Sequence, residues 1–111
     1  MPSAIDPSVE VVAVDVKSVA RGYRVSALIG SDVVNDKDEA VGTIDDFIVG
    51  RDDRVLFAIL QVGGFLGLGG YLVAVPYQSL VLTEAGGEIK MTLPGATRDA
   101  LRKLPEFDYR D

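Results

Sequence analysis

Val62-Gly63-Gly64-Phe65-Leu66-Gly67-Leu68-Gly69-Gly70-Tyr71 runs straight into Leu72-Val73-Ala74-Val75-Pro76, and the reading of this stretch decides the fold. Five of the eight residues from Gly63 to Gly70 are glycine, and the other three are large and apolar. Glycine reaches backbone conformations closed to residues with a Cβ, so the segment bends sharply. A flexible tether would mix glycine with serine, whereas this one carries Phe65, Leu66 and Leu68, which favour leaving water. The stretch predicts a tight corner between two strands, with Gly63, Gly64, Gly67, Gly69 and Gly70 as structural glycines. A corner that needed only curvature would not require large apolar side chains. Phe65, Leu66, Leu68 and Tyr71 are therefore the candidate contact residues, expected to meet a partner surface and not only their own barrel.

Working outward from the corner, Val55 to Val62 is the most hydrophobic strand. Its lack of alternation predicts burial on both faces, by a barrel interior and by a helix or neighbouring subunit. Tyr71 to Val75 is its partner, stopped by Pro76, which cannot donate to a ladder. Val41 to Val49 is an earlier strand, with the structural glycine Gly42 at a bulge or bend near its start. Asp32 to Val34 is a short strand, and Asn35 to Glu39 and Gly50 to Arg54 are polar turns. Ser26 is expected to cap a short helical turn ending at a further structural glycine, Gly30, with Leu28 and Ile29 pointing inward. Tyr77 to Ser79 turns the chain into a strand from Leu80 to Thr83. A glycine-centred hairpin turn, Glu84 to Glu88, then leads to the alternating last strand, Ile89 to Leu93.

The chain ends read differently. Thr97 can cap a helix running to Leu104, with Asp99 four residues before Lys103 and an apolar stripe of Ala100, Leu101 and Leu104. Phe107 and Tyr109 are expected to pack back onto the barrel. Met1 to Ser8 reads as a loose arm, Val9 to Val16 as an extra strand apolar on both faces, and Lys17 to Tyr23 as a connection. The fold class is all-β: a small closed or partly open barrel of about six strands with a short C-terminal helix near residues 97–104. Closure is favoured because an exposed strand edge invites aggregation. Residues 1–22 form the arm and extra strand, and 23–111 the barrel domain.

Composition narrows what such a domain does. A chain of 111 residues has room for one domain. With no cysteine and no histidine, disulfides, thiolate catalysis, structural zinc and an imidazole base are all excluded. The net charge of −6 argues against nucleic-acid binding. No apolar run approaches the ~20 residues of a membrane-spanning helix, so no integral membrane segment is expected. Met1 to Pro7 lacks a basic start followed by an apolar stretch, and a cytoplasmic location is expected, with the periplasm open if a leader has been removed. Eight carboxylates against three basic residues lie between Asp32 and Arg54. They are read as solubilising loops, the alternative being an acidic face that steers a basic partner.

Chemical motifs fail one by one. The glycine corner lacks the Gly-Lys-Ser/Thr ending of a phosphate loop and contains no Gly-x-Gly-x-x-Gly. Counting a calcium loop from Asp36 puts Val41 where glycine is needed and Phe47 where glutamate is needed. Asp45 and Asp46 are adjacent in a strand, so alternation would send them to opposite faces and forbid an acid–base pair. Ser18, Ser26, Ser31 and Ser79 have no histidine to activate them. No enzyme activity, cofactor or metal is expected.

The order of features resembles the PRC-barrel family, the small β-barrel of the photosynthetic reaction-centre H subunit and of a bacterial ribosome-maturation factor. The resemblance runs from about Arg24 to Thr83. It rests on Leu28-Ile29-Gly30, Val34-Asn35-Asp36 leading to Val41-Gly42-Thr43-Ile44-Asp45-Asp46, Val62 to Gly67, and Leu72-Val73-Ala74-Val75-Pro76-Tyr77. The tail Leu104-Pro105-Glu106-Phe107-Asp108-Tyr109 is similar to that of stand-alone bacterial members. The resemblance implies a non-catalytic adaptor barrel. From the residues, self-association is the expected contact, as a dimer, because Val9 to Val16 and Val55 to Val62 carry more apolar surface than one small barrel interior holds; a protein partner is the other possibility. The alternative class is a carrier of a small apolar or aromatic ligand at a barrel mouth beside Phe65, Tyr71 and Tyr77.

Overall fold

The computed structural model describes residues 11–63 and 70–110. Six strands follow the turn signals: β1 (Asp32–Val34), β2 (Ala40–Val49), β3 (Leu56–Gly63), β4 (Gly70–Pro76), β5 (Val81–Ala85) and β6 (Glu88–Thr92). Among the described residues three short helices flank them: α1 (Val16–Ala20) and α2 (Val25–Leu28) before β1, and α3 (Arg98–Arg102) after β6. A 3-10 turn at Tyr77–Ser79 carries the chain from β4 to β5.

The strands form one sheet in the order β4-β3-β2-β1-β6-β5. All pairs are antiparallel except β1 with β6, where Val33 lies opposite Met91 and Val34 opposite Thr92. The sheet curls, because one buried cluster takes Val73 and Val75 from β4, at one end of the strand order, and Met91 from β6, next to the other end. β4 and β5 are the two edges, so the barrel is partly open, and Leu80 is buried after the 3-10 turn that bridges the gap.

Two bulges give β2 its bend. Val33 faces Gly42 and Val34 faces Ala40, leaving Val41 as the extra residue; Ile44 faces Leu60 and Asp46 faces Ile59, leaving Asp45 as the extra residue. Gly42 sits at a close approach as well, since a Cβ there would lie 2.7 Å from the backbone oxygen of Gln61. The second bulge corrects the premise for Asp45 and Asp46: the inserted residue interrupts strand alternation at this point, and both are exposed.

On β3 the alternation resumes. Ala58, Leu60 and Val62 enter the core cluster, while Ile59 is fully buried and lies outside that cluster. The strand is thus buried on both faces where Ile59 lies, as its composition predicts. On β4, paired residue for residue, Val73 and Val75 face the core and Ala74 faces away. Leu101 of α3 reaches the same cluster, and Thr97 caps α3 by accepting the Ala100 N–H.

Three expectations are corrected. Val11 to Asp15 is not a strand, and the next residues form α1, capped by the Asp15 carboxylate, which accepts from Lys17 N and Ser18 N. Val9 and Glu10 lie outside the described residues. Valine favours a strand only where a ladder partner exists, and here the Asp15 cap supplies the competing local bonds. Ser26 does not cap α2, which starts from Arg24 with no side-chain cap. Leu28 is buried, but Ile29 is exposed, because the chain leaves the helix at Ile29 in an extended conformation.

Candidate functional site

The residues expected to make contacts are placed unevenly. Phe65, Leu66 and Leu68, with Gly64, Gly67 and Gly69, lie outside the described residues. The neck of their corner is described: Gly63 and Gly70 close the β3–β4 hairpin as a facing pair. Gly63 has φ +76 and a Cβ there would lie 2.8 Å from the Arg102 guanidinium, so α3 packs against a position that only glycine suits. A Cβ on Gly70 would collide with the Gln61 side chain. Gly30, with φ +87, donates its N–H to the Ile44 carbonyl at 2.8 Å.

Tyr71 is half-buried against the core and donates its hydroxyl to the Leu104 carbonyl at the root of the tail. Tyr77 packs edge-to-face on Phe47 with ring centroids 6.1 Å apart. Two of the three aromatics expected at a ligand mouth therefore hold contacts within their own chain, and the third, Phe65, lies outside the described residues.

The tail forms a strap that the sequence indicated only as packing back. Phe107 donates its N–H to the Leu72 carbonyl on edge strand β4 at 2.7 Å. Two residues later the Tyr109 hydroxyl donates to Asp45 on β2 at 2.6 Å. The two rings meet edge-to-face at 4.8 Å. These anchors sit on the strands either side of β3, beside the row Asp46–Ile59–Ala74. The strap thus crosses β3 where Ile59 is buried away from the main core, and it occupies part of the β4 edge. Partial burial, then the hydrogen bond to Asp45 and the charges of Asp45 and Asp46, push the Tyr109 hydroxyl well above its ordinary pKa.

Asn35 is a second anchor that composition did not single out. It is the buried polar residue among those described, and all four of its hydrogen-bonding positions are used. Its Oδ1 accepts from Lys37 N and Glu39 N, and its Nδ2 donates to Glu39 Oε1 and to the Ala96 carbonyl. Beside it Asp36 accepts the Gly95 N–H at 2.8 Å, a bond that holds its carboxyl below the usual value. Arg98 donates to the Ala40 carbonyl at 3.0 Å. The β1–β2 turn is thereby tied to the segment leading into α3.

The acidic stretch resolves in the same way. Asp36, Glu39, Asp45, Asp46 and Asp53 each accept a hydrogen bond, and Asp38 pairs with Lys90. Six of the eight carboxylates between Asp32 and Arg54 thus bond to groups of their own chain. Among the described residues no group of three or more potential metal ligands is present, and no helix is long and apolar enough to cross a membrane.

One apolar surface stays in water. Val11, Val12, Val14, Val16 and Val19 are between 64% and 101% exposed, and α1 buries none of its residues.

Fold and site together define a small, partly open β-barrel filled by its own side chains, strapped by its C-terminus and trailing a bare apolar segment at its N-terminus. The model of the PRC-barrel domain family matches residues 20–97, well over half of the chain, and the protein belongs to that family. The bare valines before residue 20, and α3 with its strap after residue 97, lie outside the matched span. No curated protein matches the chain.

Proposed function

We propose that this protein is a non-catalytic interaction barrel that self-associates, and that its surface, not an internal site, does its work. The observation that carries this reading is the run of exposed valines from Val11 to Val19 beside a core that is otherwise filled. Monomeric domains rarely leave a contiguous apolar patch in water, and such patches usually mark an interface. The carrier alternative draws less support, since Tyr71 and Tyr77 are engaged by Leu104 and Phe47 and barrels of few strands are normally filled by side chains.

Sedimentation velocity of the full chain at tens of micromolar tests the proposal. A dimer or larger assembly is expected. A strict monomer there would remove self-association, and a stoichiometric small molecule retained in native mass spectrometry would favour the carrier.

A further inference from the structure

Which surface receives the valines follows from the two sheet edges. β4 is partly taken, because Phe107 bonds to its outer side at Leu72. β5 is the other edge, paired only with β6. Gly86 and Gly87 both have positive φ, 60° and 81°, and form a two-residue turn between the facing residues Ala85 and Glu88. The pair flanking such a turn exchanges both ladder bonds, and bonded and non-bonded pairs then alternate. Ala85, Thr83 and Val81 are thus bonded to β6, while Leu82 and Glu84 turn their N–H and C=O groups outward. Among the described residues no backbone group takes these up. Val81 is 48% exposed on the same edge.

We infer that residues Val11 to Val14 of one copy add as a strand to the β5 edge of a second copy, and that the exchange is reciprocal in a two-fold dimer. The inference rests on the self-association proposed above and names its surface. Charge sets the direction. Lys17 and Arg21 follow the valines, and Glu84 and Glu88 stand at the hairpin end of β5, all four exposed. A parallel alignment brings these opposite charges together and lays Val11 and Val12 beside Val81. The area is also sufficient. A valine removed from water buries on the order of 100 Å². The three exposed valines of each arm strand, Val11, Val12 and Val14, with the surface they cover in both copies, come to roughly 1,200 Å², the lower end of an ordinary stable interface. A reciprocal contact of this kind also covers the β5 edge in both copies, so the two-fold pairing is closed at that edge.

Two variants of the full chain break opposite halves of the contact. Val12→Asp/Val14→Asp alters residues that are 76% and 65% exposed and belong to no core cluster, so the barrel is expected to stay folded. Glu84→Pro removes an outward N–H without touching a bond to β6, a position where a strand tolerates proline. Circular dichroism confirms each fold, and sedimentation reads assembly. The wild type is expected to dimerise, and each variant alone to lose at least tenfold in dimer affinity. Their equimolar mixture is expected to regain a heterodimer, through the intact arm of the proline variant and the intact edge of the aspartate variant. A monomeric wild type would overturn the self-association reading and this inference together. A dimer retained by either variant overturns the arm-on-edge contact alone, leaving another surface to explain assembly. A mixture no more associated than its components overturns it too.

Discussion

Two apolar segments flank the same barrel, and only one of them packs. The tail has two aromatic residues, Phe107 and Tyr109; the arm has five valines between Val11 and Val19. Hydrophobicity alone would favour burying the arm. The difference lies in polar anchors. The tail gives a backbone N–H to the Leu72 carbonyl and a hydroxyl to Asp45, and between these bonds its rings cross β3. The arm ends instead at Asp15, whose carboxylate turns inward on Lys17 and Ser18 and starts α1. Apolar area supplies the driving force for burial, but a hydrogen-bonding edge decides where a segment settles. The tail finds that edge on β4 of its own chain, and among the described residues the arm from Val11 to Val14 bonds to no strand.

The hardest test of this contrast removes the strap. Truncation after Pro105 deletes the half-buried Phe107 and is expected to uncover Ile59, at a cost of about 3 kcal/mol. For a domain of this size that lowers Tm by roughly 10–20 °C. The freed β4 edge should also promote aggregation on heating. A loss below about 1 kcal/mol would mean that Ile59 is covered by something other than the tail.

A finer cut removes one anchor and keeps the ring. Tyr109→Phe is expected to lower stability by about 0.5–1 kcal/mol at neutral pH, through loss of the bond to Asp45. The sign of its pH dependence follows from the raised pKa. The folded state favours the protonated phenol, so the hydroxyl's contribution is complete below the ordinary tyrosine pKa of 10.0 and is lost as pH rises past it. Denaturant unfolding should therefore show the gap between wild type and variant closing above about pH 10. A gap that stays constant would detach Tyr109 from Asp45.

The smallest effect is expected at the arm. Replacing Val11, Val12 and Val14 by serine should change the unfolding free energy of the monomer by less than ~0.5 kcal/mol, measured at concentrations too low for assembly. A larger loss would show that the arm stabilises its own barrel, and the contrast with the tail would then fail.

Much of the barrel was legible in the sequence because its strands announce themselves through alternation and its turns through glycine and acids. Val55 to Val62 read as doubly buried, and Ile59 is. A helix or a neighbouring subunit was expected on its second face; a tail anchored on the strands to either side, at Leu72 and Asp45, was not foreseen there. Val9 to Val16 misled because β-branched residues report how a segment would pair if an edge were offered, not whether one is. Asp45 and Asp46 misled through a bulge, since one inserted residue cancels the alternation rule locally. The parallel β1–β6 pairing left no local trace, because β1 is three residues long and its partner is far away in sequence. Asn35 looked like an ordinary turn residue; its bond to Ala96, 61 residues away, is a fact of tertiary structure.

β1 also has a consequence for the order in which the chain is made. Its antiparallel neighbour β2 leaves the ribosome almost at once, and the β2–β3–β4 meander can form while synthesis continues. The other side of β1 must wait until Met91 and Thr92 emerge. The two halves of the sheet are joined only through this strand, backed by Asn35 to Ala96 and Asp36 to Gly95. Until then the nascent chain carries an unfinished barrel whose centre is an unpaired edge. Joining the halves is a long-range closure, the kind of step that slows folding in proteins of high contact order, and during translation it is the interval in which the chain most needs protection from its neighbours.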